Sequence, residues 1–254
     1  MADIKAFFFD QDGVIIDTER DGHRVAFNRA FREFGFDVEW SVAQYHELLQ
    51  VAGGKERMRH YLHTEGFGQE VKPEDEDQLI KDLHARKTDI FIDLIESGAL
   101  PLRPGVHRFM EEVKDMGMTL AVTTTSNKRA ARAVVEGPLG DIDIDFVLAG
   151  DVVENKKPDP EIYRMALDRT DLTSAEAVVI EDSHNGAVAA KAIDLNLVVT
   201  VNDYTAEEDV SMADVVLTCL GDPDGEQAAI VQGGMGLDFD GVLHAKAVAD
   251  YFGD

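Results

Sequence analysis

The sequence predicts an α/β protein with a doubly wound parallel sheet, interrupted by an inserted all-helical segment. Three observations support this fold class. Short apolar runs recur along the chain, helical patterns separate them, and one long stretch lacks such runs. The 254 residues, 44% of them hydrophobic, suffice for a sizeable core built as one domain or as one domain with an insertion.

The apolar runs have the length and composition of buried parallel strands. They lie at residues 6–9, 119–122, 146–149, 178–180 and 198–201, and residues 214–219 are a candidate for a final strand. Apolar residues with helical spacing lie between them, at 106–113, 130–135, 162–167 and 187–193. From 221 to 236 the chain is glycine-rich and weakly patterned, which predicts a surface loop.

Residues 18–97 break the alternation and are predicted to be helical throughout. Aromatic and apolar residues recur at helical spacing from residue 23, and a longer helix follows the acidic stretch 73–77. We therefore predict a core domain of residues 1–17 and 98–254, with an inserted helical domain of residues 18–97.

Fifty acidic residues against 24 basic ones give a formal charge of −26. This charge repels nucleic acid and anionic lipid, so we predict neither as a partner. It also disfavours an anionic substrate, so a phosphate site requires a local cation, either a metal ion or a lysine. A solvated acidic surface explains the charge, and salt adaptation is an alternative.

No apolar run approaches the roughly 20 residues that span a bilayer, and the N-terminal residues lack a signal-peptide pattern. We therefore expect a soluble, cytoplasmic protein. Cys219 is the only cysteine, so no internal disulfide is expected. A monomer with a small-molecule partner is the expectation for this architecture.

Two carboxylates, Asp10 and Asp12, follow the first predicted strand and share one face. That edge of an open α/β sheet usually binds ligands, and Gly13 lets the backbone turn sharply. Taken alone, the pair could equally end a strand without a function. A calcium-binding EF-hand loop is excluded because Ile15 and Asp21 stand where its glycine and glutamate belong.

Three further signals follow in order, each after a predicted strand. The first is a run of hydroxyl side chains, Thr124, Thr125 and Ser126, which can donate to phosphoryl oxygens. Threonine is also common in strands without any function. The run therefore gains weight only from its neighbours in the sequence.

The second signal is Lys157, which precedes a rigid Pro-x-Pro turn, and the third is the pair Glu181 and Asp182 after the fourth apolar run. Considered separately, the lysine is typical of a protein surface and the acidic pair of a helix cap. Considered together with the first carboxylates, they supply the cation and the acids that a phosphate site needs.

Phosphoryl transfer needs an in-line nucleophile, neutralised equatorial oxygens and an acid for the leaving group. Asp10 can attack phosphorus to form an aspartyl phosphate. Asp12 can protonate the leaving alkoxide and later take a proton from water. Lys157 and the hydroxyl of Thr124 complete the clamp on charge. These four residues are the predicted catalytic group.

A magnesium site is predicted beside them. Asp10, Asp182 and one backbone carbonyl supply the hard oxygen ligands that Mg²⁺ prefers. Glu181 is expected to act on the ion through the groups around it. The predicted metal centre thus comprises Asp10, Asp12, Glu181 and Asp182.

On these four motifs, the chain resembles the haloacid dehalogenase superfamily over nearly its whole length. The motifs are Asp10-x-Asp12, the strand end at Thr124, Lys157-Pro158 and Glu181-Asp182. The resemblance implies the same catalytic roles and a Rossmann-like core. It also implies that the helical insertion is a C1 cap, as in the phosphoglucomutase-like subgroup.

Within that subgroup the chain is similar to the CbbY type, through residues 17–28, 53–57, 123–126 and 220–224. This resemblance implies a phosphatase of xylulose-1,5-bisphosphate that is associated with carbon fixation. Gln11 departs from the apolar or cysteine residue common there. Because it should point away from the site, we expect little effect on the chemistry.

Charged residues of the insertion could bind the distal phosphate or the sugar hydroxyls when a cap closes. The candidates are Glu19, His23, Arg24, Lys55 and Arg57. Each is equally compatible with a solvated helix charge or a satisfied histidine. Lys55 and Arg57 are the preferred pair because a bisphosphate needs a second cationic clamp. With Thr125 and Ser126, they form the predicted substrate-binding set.

Two look-alike signals are set aside. Residues 237–243 repeat the Asp-x-Asp-Gly pattern, but a glycine-rich stretch precedes them and too little chain follows for the other motifs. Gly54 and Lys55 do not form a nucleotide-binding P-loop, because Leu49 and Glu56 stand where glycine and a hydroxyl residue belong.

Three rival functions stay open to different degrees. Dehalogenation needs neither Asp12 nor the acidic pair at 181–182, so both argue against it. A phosphomutase shares all four motifs and differs in how the cap admits sugar phosphate in place of water. A non-catalytic binding module on the same scaffold is disfavoured because Asp10 is intact.

Overall fold

The computed structural model describes residues 2–51, 53–150 and 152–253. The chain divides into two compact units. One contains the segments up to Asp17 and from Pro101 onward, and the other contains Thr18–Leu100. The helical segment therefore ends at residue 100, slightly beyond the predicted residue 97.

A single sheet forms the centre of the larger unit, the core unit. Its strands are β1 Ala6–Phe9, β2 Thr119–Thr124, β3 Phe146–Ala149, β4 Ala177–Glu181, β5 Asn196–Thr200, β6 Val215–Leu217 and β7 Ile230–Gly233. They lie in the order β3-β2-β1-β4-β5-β6-β7. Strands β1 to β6 are parallel, and β7 is antiparallel to β6. The predicted fold class is confirmed.

Helices pack on both faces of the sheet because side chains alternate along β1. Phe7 and Phe9 contact Phe109, with ring centroids 5.4 and 5.9 Å apart. Phe8 faces the other way, into a buried cluster that includes Tyr163 and Ala187. The helices of this unit are α5 Val106–Asp115, α6 Lys128–Glu136, α7 Glu161–Thr170, α8 His184–Lys191 and α9 Ala245–Gly253.

The glycine-rich segment 221–236 was predicted to be a surface loop, but part of it forms β7. All four residues of β7 are exposed, so the strand carries no apolar pattern that the sequence could reveal. It pairs with β6 through its backbone at the edge of the sheet. An exposed edge strand depends on such pairing rather than on burial.

The second unit, the helical unit, contains only helices and connections among its described residues. A one-turn π-helix, Glu19–His23, runs into α1 Arg24–Glu33, followed by α2 Val42–Leu48, α3 Gly54–Thr64 and α4 Pro73–Glu96. Helix α4 begins at a proline with acidic residues in its first turn, which suit the unpaired amides there. Trp40 is fully buried, 4.9 and 5.0 Å from the rings of Phe27 and Phe31.

Where the chain leaves and re-enters the core unit, the two segments are joined to each other. The amide of Arg103 donates to the carbonyl of Ile15 at 2.9 Å, and Ile16 forms an antiparallel bridge with Leu102. Across the described ranges 2–51, 53–150 and 152–253, we find no helix with the length and apolar character of a membrane span.

Candidate active site

Three strands bring the predicted motifs to one edge of the sheet. Strand β1 lies between β2 and β4, and Phe9 pairs with Val122 on one side and Ile180 on the other. The amide of Asp10 donates to the carbonyl of Ile180 at 2.9 Å. Asp10 and Glu181 therefore leave the sheet at the same level, although they are far apart in the sequence.

Lys157 connects the two carboxylates. Its ammonium lies 2.5 Å from Asp10 Oδ1 and 2.7 Å from Glu181 Oε1, and it also donates to the Thr123 carbonyl at 3.1 Å. Its side chain is only 8% exposed, so these ion pairs are little screened by water. The lysine predicted from its motif is thus in contact with the predicted nucleophile.

The carboxylates of Asp10, Glu181 and Asp182 form a buried acidic cluster, with one oxygen from each lying within 4.8 Å of the others. Burial raises the pKa of Asp10 to about 7, although the charge of Lys157 opposes the change. Burial and the neighbouring Glu181 raise the pKa of Asp182 well above its usual value. When fully ionised, the cluster therefore holds more negative charge than one lysine offsets.

Glu181 differs from the other two acids. Burial alone would raise its pKa, but the charge and hydrogen bond of Lys157 leave the pKa below its usual value. Both of its oxygens are engaged, since Oε1 accepts from Lys157 and Tyr163, and Oε2 accepts from the Asp182 amide at 3.0 Å. Glu181 therefore has less capacity than Asp10 and Asp182 to bind a cation directly.

This donor set fits a divalent cation. Hard carboxylate oxygens that converge in a buried place are the ligands that Mg²⁺ prefers, and a bound cation would offset the charge that burial makes costly. Asp12 does not belong to the group of three acids whose oxygens converge in the described part of the chain. A role for Asp12 at the metal through its side chain stays a prediction.

The hydroxyl residues after β2 lie beside Asp12. The Ser126 hydroxyl donates to Asp12 Oδ2, and the Ser126 amide donates to Thr124 Oγ1 at 3.0 Å. Thr124 is 1% exposed, and Thr125 is half-buried. The Ser126 hydroxyl can therefore fix the direction of the predicted acid's carboxylate, and its predicted contact with substrate stays a prediction.

Two glycines leave room for the carboxylates. Gly13 has φ +84°, and a Cβ at this position would lie 2.0 Å from Asp182 Oδ2. A Cβ at Gly186, on α8, would lie 1.9 Å from the Glu181 carboxylate carbon. The close approach of the two acids to the backbone therefore depends on the absence of side chains at both positions.

Three residues that the sequence analysis missed support this edge. Asn202 donates to Asp182 Oδ2 at 2.8 Å, and Tyr163 donates to Glu181 Oε1 at 2.7 Å. The buried guanidinium of Arg103 donates to four backbone carbonyls, those of Gly13, Thr200, Val201 and Thr218. None of the three stands in a motif, so only their contacts identify them.

Within the helical unit, two of the predicted binding residues belong to one chain of hydrogen bonds. Arg57, which is 8% exposed, donates to the Leu48 carbonyl at 2.9 Å and to the Tyr45 hydroxyl at 3.0 Å. That hydroxyl donates in turn to Glu19 Oε2 at 2.6 Å. The preferred partner of Arg57, Lys55, is exposed and lies outside this chain.

His23 belongs to a second polar group of the helical unit. Lys87 Nζ lies 2.9 Å from His23 Nδ1 and 4.7 Å from the ring centroid of Phe27. Loss of solvent around the ring, followed by the charge of Lys87, holds the pKa of His23 well below its usual value. Arg24 instead donates to the Arg20 and Trp40 carbonyls, so its contacts are those of a structural residue.

Comparisons with known proteins define the class of the chain. A family model for haloacid dehalogenase-like hydrolases matches residues 4–194, and the chain belongs to this family. The predicted enzyme class, a phosphatase of the haloacid dehalogenase superfamily, is confirmed.

Particular members of the family are similar over most of the chain. A CBBY-like protein of Arabidopsis thaliana is 44% identical, across 87% of this chain and 71% of that protein. Crystal structures of CbbY from Rhodobacter sphaeroides, one with phosphate and one of a mutant with xylulose-(1,5)bisphosphate, are 38% identical with a TM-score of 0.74. Each covers 85% of this chain and 94% of the CbbY chain.

The structure of a putative beta-phosphoglucomutase from Thermotoga maritima is 26% identical, with a TM-score of 0.67. It covers 84% of this chain and 93% of that protein. The chain is thus a CbbY-like phosphatase of its family, with structural similarity that extends to mutase-like members.

Proposed function

We propose that this protein is a Mg²⁺-dependent phosphatase of xylulose-1,5-bisphosphate that works through an aspartyl phosphate at Asp10. The observation that carries the proposal is the contact of Lys157 with Asp10 inside a cluster of three converging carboxylates. The substrate rests on the similarity to CbbY, one structure of which holds that bisphosphate.

Asp10 is placed to act as the nucleophile. Its Oδ1 is fixed by Lys157, so its second oxygen has a defined direction for in-line attack on phosphorus. The new bond joins that oxygen to phosphorus while the bond from phosphorus to the sugar oxygen breaks. When bound at Asp10 and Asp182, Mg²⁺ supplies positive charge for the phosphoryl oxygens and offsets the repulsion between them and the acidic cluster.

Asp12 is the proposed acid and base. The hydroxyl of Ser126 holds one of its oxygens, which leaves the carboxyl group oriented for proton transfer. In the first step it gives a proton to the sugar oxygen that leaves. In the second it accepts a proton from the water that attacks the aspartyl phosphate, which releases phosphate and restores Asp10.

The phosphoryl oxygens need donors that are already in place. The Thr124 hydroxyl accepts from the Ser126 amide, so its own hydrogen can be given to a phosphoryl oxygen. Lys157 adds a charged donor, and Thr125 is a third candidate on the same segment. All these groups come from one chain, so the proposal requires no second copy.

Recognition of the distal phosphate is assigned to the helical unit. Arg57 is the foremost candidate, because among the described residues its guanidinium donates to a carbonyl and a hydroxyl and forms no ion pair with a carboxylate. Its guanidinium can therefore pair with an anion without first leaving a carboxylate. Glu19, His23 and Lys55 are proposed as further contacts to the sugar or the second phosphate.

Phosphate release from a panel of sugar phosphates, with Mg²⁺, tests the proposal on wild type and Asp10→Asn. We expect release from the bisphosphate by wild type and at least a roughly 10³-fold loss in the variant, because no other group can form the intermediate. Asp238→Asn, in the look-alike segment 237–243, is the matched control and should retain activity.

Equal release by Asp10→Asn would contradict the nucleophile assignment. Conversion of a sugar monophosphate into its isomer without free phosphate would favour the mutase. Chelation of divalent metal should stop turnover, and added Mg²⁺ should restore it.

A further inference from the structure

Tyr163 is a buried residue of α7 to which no motif assigns a role. Its neighbours on the buried face of that helix are apolar, and Tyr163 itself is fully buried. A phenylalanine would satisfy this packing as well. A buried hydroxyl is costly unless it forms a hydrogen bond, so the partner of this hydroxyl explains its presence.

That partner is Glu181, which shares Lys157 with Asp10. Glu181 Oε1 accepts from the Tyr163 hydroxyl at 2.7 Å and from Lys157 Nζ at 2.7 Å. The same ammonium lies 2.5 Å from Asp10 Oδ1 and 5.0 Å from the centroid of the tyrosine ring. Tyr163 therefore contacts the cation of the site and one of the two carboxylates that hold it.

We propose that Tyr163 is a positioning residue for the phosphatase reaction, because its hydroxyl fixes Glu181 at the place from which Glu181 shares Lys157 with Asp10. The proposal rests on the function proposed above. Lys157 is held between two carboxylates, and the tyrosine hydroxyl takes up part of the hydrogen-bonding capacity of one of them. Without it, Lys157 is drawn toward Glu181, and Asp10 loses the contact that directs its free oxygen.

The place of Tyr163 in the chain supports a positioning role in addition to packing. Tyr163 lies six residues after Lys157, at the start of α7, so the lysine and its support belong to the same segment of the chain. Glu181 comes from β4. The hydroxyl thus joins the segment that carries the lysine to the strand that carries the acid, beneath the sheet edge where the reaction is proposed.

Tyr163→Phe tests the proposal because it removes one oxygen and keeps the ring over Lys157. We expect kcat to fall roughly tenfold, as for loss of one hydrogen bond to a charged group, with KM within about twofold. Tyr251→Phe, the same change in α9, is the matched control and should change neither constant. Thermal unfolding of both variants shows whether the fold is retained.

A second measurement separates positioning from a general loss of packing. If Tyr163 acts through Glu181, Tyr163→Phe in a Glu181→Gln background should lower kcat by less than about twofold further. Additive losses would overturn the proposal, as would a Tyr163→Phe enzyme with unchanged kcat or one that no longer folds. An inactive wild type with an intact fold would instead overturn the proposed function, and the positioning role with it.

Discussion

The core unit and the helical unit both bury charge, but with opposite signs. In the core unit, the carboxylates of Asp10, Glu181 and Asp182 converge around one lysine. In the helical unit, the buried cations Arg57 and Lys87 contact a hydroxyl, a carbonyl, a histidine and aromatic rings. The first arrangement attracts a metal cation, and the second suits an anion. The comparison favours the proposal that chemistry and substrate recognition belong to different parts of the chain.

The largest expected effects fall on different kinetic constants, on kcat for the core unit and on KM for the helical unit. Lys157→Met removes the cation beside Asp10, so kcat should fall roughly 10²- to 10³-fold. Arg57→Met should instead raise KM for the bisphosphate roughly tenfold or more with little change in kcat, because a distal guanidinium binds ground state and transition state alike. Steady-state kinetics on a bisphosphate and on a monophosphate measure the difference.

The monophosphate is the control, because it lacks the group that Arg57 is proposed to bind. Arg57→Met should leave its KM unchanged. If KM rises equally for both substrates and the unfolding temperature falls as well, the guanidinium serves only the structure of the helical unit. That result would contradict its proposed role in binding the distal phosphate.

A smaller effect concerns stability and pH in the core unit. The pKa of Asp10 is raised by burial from 3.8 to about 7, so the folded protein binds a proton there that the unfolded chain has lost. Stability from this group is present below about pH 4 and is lost as pH rises through 7. Metal-free wild type should therefore lose about 2–3 kcal/mol more than Asp10→Asn between pH 5 and pH 8.

Chemical denaturation in the presence of a chelator measures this difference. Asp182, whose pKa is also raised, changes stability in the same direction in both proteins. Because the charge of Asp10 contributes to that shift, the difference between the two proteins reports Asp10 together with its effect on Asp182. Glu181, whose pKa is lowered, acts below this pH range. Parallel pH profiles for the two proteins would mean that burial does not favour the protonated form of Asp10. Helical-unit variants such as Arg57→Met should not alter the profile.

The smallest expected effect asks whether every polar group near the core motifs serves the reaction. Gln11 is fully buried, and neither polar atom of its side chain has a hydrogen-bond partner in the described part of the chain. Gln11→Leu should stabilise the protein by about 1 kcal/mol and leave kcat within about twofold. Urea denaturation measures the change, with Gln50→Leu, at an exposed position, as the control.

A marked loss of activity in Gln11→Leu would show that the amide takes part in the reaction. A loss of stability alone would show that the Gln11 amide forms hydrogen bonds in the folded protein. Either result would revise the distinction between the polar groups that the motifs mark and those that lie beside them.

The strands were predictable because apolar composition and burial coincide in them. Residues 6–9 and 146–149 were predicted with the bounds that the structure has, and both are apolar throughout. β7 was missed since an exposed edge strand needs no apolar pattern. An apolar sequence pattern reflects burial, so it predicts only those strands whose side chains are buried.

The site shows the same limit. Asp10, Lys157, Glu181 and Asp182 lie together, as the order of their motifs predicted, because parallel strands bring their carboxyl ends to one edge. Their roles stay predictions. Tyr163 occupies an apolar stripe position in α7, and its partner lies on another strand, so no local signal marked it.

Lys87 did leave a signal. It stands at a position of α4 where the helical spacing calls for an apolar residue, and it is buried in the structure. A lysine in such a stripe implies a specific partner, which proves to be His23. Arg103 left none, because most of its partners are backbone carbonyls that any sequence would supply.

The contact between the segments around Ile16 and Leu102 bears on how such a protein can change over time. The segment that leaves the core unit and the segment that returns to it are hydrogen-bonded to each other. The two ends of the insertion therefore stay in place beside the sheet whatever the insertion contains. The cost of closing a flexible loop grows only slowly with its length. A segment at this junction can therefore be lengthened or replaced while the sheet edge that carries Asp10 keeps its geometry. On the proposed division of roles, a new substrate then requires a new insertion and no change in the residues of the reaction.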